Sequence, residues 1–302
     1  MTVSSTAVTV IVLNWNGLAD TRECLHSLQA VRYPAMRVIV VDNGSKGDEA
    51  SKLESEFKGF IEVLRLPENK GFAGGANAGI RHALAAGTDY VLLLNNDTVV
   101  EPEFLQALVA AAREIPDLAA ACPRTHFYNR PRVIYSTGGE VSLWRGVATQ
   151  VGRGQVDHGQ FDVIERRGYA DGVCMLIPAA AIAKVGLLDE QYFAYWEETD
   201  WCVRAREHGL HCYYVPRARI WHKASRSQRP DARFDYLYRR NALLFVRKRG
   251  TPLQAATAFL MHAFVYAPAY FLRNPLRIAR AVPALRALFW HTRNQPKERP
   301  LT

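Results

Sequence analysis

The 302-residue chain has few cysteines: Cys24, Cys122, Cys174, Cys202 and Cys212, an odd number with no C-x-x-C pair among them. That spacing fits neither a disulfide framework nor a zinc ribbon, and reduced, buried thiols in a cytosolic compartment are expected. Phosphate-loop signatures are lacking too. The glycine-rich stretch Gly71 to Gly79 has no window with Gly at i, i+2 and i+5, and no G-x-x-x-x-G-K-[ST] occurs anywhere. Dinucleotide-fingerprint and Walker-type proteins are thereby excluded. With 20 Gly, 15 Pro and 22% charged residues there is no low-complexity tract, which excludes a disordered or collagen-like chain. Met1 to Ala7 carries no Lys or Arg ahead of the apolar run Val8 to Leu13, so that run reads as a strand and not as a signal peptide.

What is present is core-forming material, 49% hydrophobic, enough for one large domain or a domain plus an appendage. Charge is unevenly placed. Residues 1–216 hold 20 Lys and Arg against 26 Asp and Glu, whereas residues 217–302 hold 18 against 3, a local balance of +15. Only the tail therefore invites a phosphate-dense partner, either nucleic acid or an anionic membrane surface.

Over the first 120 residues short β-branched runs alternate with helical patterns: Val8–Leu13 then Asp20–Gln29, Arg37–Val41 then Asp48–Phe57, Ile61–Leu66 then Ala73–Ala86, Tyr90–Leu94 then Glu101–Glu114. This predicts an α/β fold with a mostly parallel sheet and helices on both faces. Polar clusters follow the strands, at Asn14 to Gly17, Asp42 to Ser45 and Asn95 to Asp97, where an open α/β sheet binds ligands. The Gly71–Gly79 stretch opens a helix; it serves either close helix–sheet packing or approach to a diphosphate, and the residues alone leave both open. Residues 122–167 read as a β-rich excursion. A strand at Val173–Ile177, a helix opened by Pro178, a helix running to His208 and a strand at His211–Val215 follow.

Three places could carry chemistry. Asp97 closes an apolar strand behind two amides, where a carboxylate can ligate Mg²⁺ or Mn²⁺, although Asn-Asn-Asp-Thr is equally a turn. Glu197, Glu198 and Asp200 open a helix directly behind Tyr192-Phe193-Ala194-Tyr195-Trp196. Negative charge is favoured at a helix start, yet an aromatic wall also desolvates a carboxylate and raises its pKa toward a useful general base. His222, at the point where the charge balance changes sign, is either structural or a metal ligand.

Taken in order, these segments resemble family 2 glycosyltransferases, especially the rhamnosyltransferase-like branch, over about residues 8–248. The segments are Val10 to Gly17, Val40 to Ser45, Asn69 to Asn77, Leu93 to Asp97, Asp171 to Ile177, Glu197 to Asp200 and Trp221 to Lys223. The resemblance implies a GT-A fold, a nucleotide-diphosphate sugar donor, a divalent cation and inversion at the anomeric carbon. It implies Asn14 and Asp42 at the nucleoside, with Asn69, Gly71 and Asn77 nearby and with Asn95, Asn96 and Gly172 also lining the nucleotide-sugar site. Asp97 and His222 take the metal-ligand positions, and Glu198 the general base, with Glu197 as its alternative. The chain departs from the family pattern in having Asn95 as the first residue of the acidic metal motif, and Glu198 where relatives often have Asp.

In the tail, Leu253 to Leu272 contains no charged residue, but Gln254, His262 and Pro268 argue against a simple membrane span. Arg273 to Arg293 is basic and amphipathic, a pattern that lies in the plane of a membrane interface. The expectation is a glycosyltransferase domain over 1–248 and a helical, membrane-associating tail over 249–302, on the cytosolic face of the membrane. It would transfer a sugar, with rhamnose the candidate, to a glycan or lipid-linked saccharide, and would not bind nucleic acid. Rival readings are a sugar nucleotidyltransferase and a non-catalytic nucleotide-sugar-binding protein.

Overall fold

A computed structural model describes residues 6–224, 232–269, 286–288 and 290. The first half is a run of strand–helix units: β1 (Val8–Asn14), α1 (Leu18–Gln29), β2 (Met36–Asn43), α2 (Glu49–Glu56), β3 (Ile61–Leu66), α3 (Gly71–Ala85) and β4 (Tyr90–Asn95). These strands pair in parallel in the order β4-β1-β2-β3. Strands β1, β2 and β4 are almost continuously apolar and buried, as strands covered on both faces must be.

Then come β5 (Thr98–Val100), α4 (Phe104–Glu114), β6 (Leu118–Phe127), β7 (Arg130–Ser136), β8 (Gly139–Ser142), β9 (Val147–Gln150), β10 (Glu165–Arg167), β11 (Cys174–Pro178), α5 (Ala179–Val185), α6 (Glu197–Glu207) and β12 (His211–His222). The large sheet reads β10-β12-β6-β11-β4-β1-β2-β3, with β5 on β12 and β7 on β6, while β8 and β9 form a separate ribbon. Beyond β4 the sheet is mixed, because β11 runs antiparallel to both β4 and β6. The chain reaches β11 from a β-rich excursion and not from a crossover helix, so nothing forces it to be parallel. Strand β12 extends from the expected His211–Val215 through His222. It absorbs Pro216 at a register shift between Val215 and Arg219, the kind of position where a strand tolerates proline.

The glycines of α3 resolve one open choice in favour of packing. A Cβ on Gly75 would stand 2.5 Å from Leu13, and one on Gly79 2.6 Å from Ile11, so the helix lies flush against β1. All five cysteines are buried, and burial pushes the Cys24 and Cys122 thiols up to about 12, where they are unreactive.

The chain forms two compact units. The first holds the large sheet and its helices. The second comprises residues 141–148, 194–196 and 226–302, with α7 (Ala232–Arg249) and α8 (Pro252–Met261). Thr251 and Gln254 cap α8 reciprocally with Pro252 in its first turn, and α8 runs into a π-turn over His262–Tyr266. His262 is buried on Gly146 O at 2.9 Å, while Leu253, Leu260 and Phe264 are 65%, 54% and 73% exposed. Among the described residues no helix is long and apolar enough to cross a membrane. Residues 270–272, and most of the basic stretch Arg273 to Arg293, lie outside the described residues.

Candidate active site

Asp97 follows the turn that ends β4, and His222 is the last residue of β12. The antiparallel pairing of β5 with β12 sets His222 opposite Thr98, and Lys223 N donates to Asp97 O at 2.9 Å. The two side chains therefore meet, His222 Nε2 lying 3.0 Å from Asp97 Oδ1, with only 5% and 13% of their surfaces exposed. The Tyr135 ring stands edge-on to the imidazole at 4.6 Å, and His222 Nδ1 is buried without a hydrogen-bond partner.

A hydrogen-bond chain that starts at Asn96, the residue before Asp97, runs to the ends of β1 and β2. Next to Asp97, Asn96 Nδ2 donates to Thr21 Oγ1 at 2.8 Å, and that hydroxyl donates to Asn14 Oδ1 at 2.7 Å. Asn14 Nδ2 in turn donates to Asp42 Oδ1, Ser45 Oγ and Glu49 Oε2 at 3.0–3.1 Å. Asn14 is fully buried, so its carboxamide positions the Asp42 carboxylate. Beside Asp42, Asn43 holds the start of α3. Its Nδ2 donates to Gly71 O and Asn69 Oδ1, and its Oδ1 accepts from Lys70 N. Asn77 is elsewhere engaged: its amide clamps Leu188 N, Leu188 O and Glu190 Oε1.

Asn95 N donates to Val173 O at 2.9 Å, bringing the Asp171–Val173 turn against the end of β4. Gly172 in that turn faces Glu198: a Cβ there would lie 3.3–3.5 Å from the Glu198 Cβ, Cγ and Cδ atoms. Asp97, His222 and Glu198 thus gather around one end of the sheet, Glu198 through Gly172 and Val173. Glu198 is half-buried with its Oε2 atom buried, and Glu197 is buried with its Oε2 unpartnered. Burial and the neighbouring Glu198 charge raise the Glu197 carboxyl well above its ordinary value. Asp200 is structural, accepting from Tyr192 Oη and Arg204 Nε.

The aromatic segment ahead of these acids is not simple core. Tyr192 and Trp196 are buried, while Phe193 and Tyr195 are half-buried. Phe193, Tyr195 and Trp196 all have positive φ, at 66°, 71° and 78°. At Phe193, ψ of −58° completes the strained γ-turn of positive φ. Phe193 O accepts from Ala73 N, and Gly71 is required beneath it, since a Cβ there would be 2.2 Å from that oxygen.

The family pattern described as "Glycosyl transferase family 2" matches residues 9–166, more than half of the chain. The chain belongs to glycosyl transferase family 2. It is 25% identical over 204 residues to the low-salt glycan biosynthesis hexosyltransferase Agl10 of Haloferax volcanii, covering 67% of this chain and 62% of Agl10. It is 25% identical over 228 residues to the dTDP-rhamnosyl transferase RfbF of Shigella flexneri, covering 72% of each. The mannosyltransferase PcManGT from Pyrobaculum calidifontis, solved with GDP-Man and Mn²⁺, superposes with a TM-score of 0.62 at 16% identity over 96% of this chain and 88% of that one. The fold is GT-A.

In this family 2 chain the Asp97–His222 pair passes a simple test for a cation. Oxygen and imidazole donors 3.0 Å apart have the spacing of adjacent ligands on one ion with bonds of about 2.0–2.2 Å. Among the described residues no group of three or more His, Cys, Asp or Glu could hold a metal ion. Sequence reasoning passed over Thr21 and Glu49, and placed Asn43 and Ser45 in a ligand-binding loop without giving either a role. Thr21 and Glu49 sit inside helices with no local signal of their reach.

Proposed function

We propose that this chain is an inverting, metal-dependent glycosyltransferase that moves a sugar from a nucleotide-diphosphate donor to a hydroxyl of a glycan or lipid-linked saccharide. The observation that carries this reading is the gathering of Asp97, His222 and Glu198 at the carboxyl end of β4, with a hydrogen-bond chain running from the adjacent Asn96 to Asp42. Glu198 is the general base, half-buried, and burial raises the adjacent Glu197 carboxyl well above its ordinary value. The acceptor hydroxyl proton passes to the Glu198 carboxylate as its oxygen bonds to the anomeric carbon. The bond from that carbon to the diphosphate oxygen breaks, and its electron pair leaves with the nucleoside diphosphate. One displacement inverts configuration, through an oxocarbenium-like state as in glycoside hydrolysis.

Asp97 and His222 hold the divalent cation, Mg²⁺ or Mn²⁺, which supplies charge neutralisation at the leaving diphosphate. Asp42, fixed by Asn14, holds the nucleoside, and Asn95, Asn96 and Gly172 line the sugar side. Rhamnose is the candidate sugar, supported by the likeness to RfbF. Residues 249–302 are the tail that rests on the cytosolic face of a membrane. The outward Leu253, Leu260 and Phe264 supply apolar anchors, and Arg247, Lys248 and Arg249 close α7 with positive charge.

The test is a thermal-shift panel of dTDP-, UDP- and GDP-sugars with and without Mn²⁺, on the full chain and on Asp97→Asn. Binding to the folded state alone raises Tm with occupancy. A Mn²⁺-dependent rise with one donor, absent in Asp97→Asn, supports the reading. No metal-dependent rise with any donor refutes it.

A further inference from the structure

Two guanidinium groups stand one and two aromatic rings away from the Asp97–His222 pair, and the mechanism above gives them no task. Arg130 Cζ lies 4.5 Å over the Phe127 ring; Arg153 Cζ lies 4.4 Å over Tyr135 and 5.3 Å from Phe127. Phe127 and Tyr135 meet edge-on at 5.2 Å, and Tyr135 is the ring that abuts His222. Both rings are buried, whereas both arginines are exposed.

Three arginines around this excursion are neutralised by carboxylates. Arg124 pairs with Asp157 and Asp162, Arg166 with Asp117 and Arg167 with Glu165. Arg130 and Arg153 meet no carboxylate among the described residues; Arg153 has polar contacts with the Gln150 amide and the Tyr135 hydroxyl. Gln150 in turn donates to Asp171, beside Gly172. A guanidinium seated over a ring loses little freedom on binding, and its fork of N–H groups suits two-pronged recognition of phosphate oxygens. Two such groups, both within 5.3 Å of the Phe127 ring centre and neither facing a carboxylate among the described residues, favour a ligand that carries negative charge.

We propose that Arg130 and Arg153 form a phosphate-binding clip flanking the reaction centre. It takes a phosphate or diphosphate ester, carried either by the donor nucleotide or by the acceptor. The assignment rests on reading Asp97 and His222 as the metal site, and the experiment separates the two ideas.

The full chain is titrated calorimetrically with two probes, inorganic pyrophosphate with Mn²⁺ and farnesyl phosphate without metal. The variants are the double substitution Arg130→Gln with Arg153→Gln, and Arg132→Gln, which removes one exposed charge from the same strand but has no aromatic seat. The clip predicts that the double variant weakens one probe by about tenfold or more, while Arg132→Gln changes either by less than about twofold. Loss on pyrophosphate assigns the clip to the donor diphosphate, and loss on farnesyl phosphate assigns it to an acceptor phosphate. If neither probe binds the unaltered protein, or the double variant behaves like Arg132→Gln, the clip is overturned. An Asp97→Asn arm distinguishes the failures. Loss of Mn²⁺-dependent pyrophosphate binding there, with none in the double arginine variant, overturns the clip and leaves the metal site standing. The reverse pattern overturns the metal assignment and leaves the clip.

Discussion

Replacing Gly172 with alanine tests the base assignment without touching an ionisable group. Gly172 does not have positive φ, so alanine is tolerated by the backbone. The new methyl carbon meets three atoms of one side chain, Glu198, at 3.3–3.5 Å, and the neighbour must give by a few tenths of an ångström. If a 1 Å displacement of a catalytic group costs about 10²-fold, such a shift costs about three- to tenfold in kcat, or ~0.6–1.4 kcal/mol of barrier. Steady-state kinetics with donor and acceptor varied separately reads this out. The expected result is lower kcat, with Tm unchanged within about 2 °C, the shift that a few tenths of a kcal/mol would give. In a Glu198→Gln background, itself reduced by about 10²–10⁴, the same substitution should be silent, because the group it displaces no longer takes a proton. Unchanged kcat in Gly172→Ala, or an equal loss in the Glu198→Gln background, refutes Glu198 as the base held by this contact.

Glu197→Gln should stabilise the protein increasingly as pH rises. The folded-state carboxyl sits well above its ordinary value of 4.5, so below that pH both states are protonated and the variant gains nothing. Above it the unfolded chain ionises first and the unaltered protein loses ground; a Tm difference independent of pH between 4 and 8 would contradict the burial argument. Asn43→Ala removes hydrogen bonds to Asn69, Lys70 and Gly71 and should cost about 1–3 kcal/mol while raising donor KM more than it lowers kcat, as urea unfolding and kinetics can measure. Gly71→Ala should fail more severely, since it combines φ of +75° with a 2.2 Å approach to Phe193 O; recovery of folded protein with an unaltered melting curve would refute that.

The strands of the first half were readable because each is a short β-branched run closed by Asn, Asp or Gly, a pattern that both periodicity and turn chemistry support. Asp97, His222 and Glu198 were readable as candidates for the same reason: each stands at the end of an ordered element. Beyond β4 the reading weakened. Residues 118–173 form strands whose partners lie far away in sequence, and β11 inserts between β4 and β6 by a pairing that no local pattern encodes. Thr21 was invisible because its hydroxyl acts across seven positions to Asn14 and seventy-five to Asn96. Asn77 looked like a ligand-loop residue because it lies beside the glycines, but its orientation on α3 commits it to Leu188 and Glu190.

The three left-handed aromatic residues before Glu197 carry a consequence for anyone seeking a hardier protein. Each conformation costs about 1–3 kcal/mol, a large share of the net stability of an ordinary domain. Glycine at Tyr195 would relieve part of that tension and also alter the segment that leads into Glu197 and Glu198. Selection for heat tolerance alone would therefore favour changes in this short stretch that slow turnover, so a screen here needs to reward both properties at once.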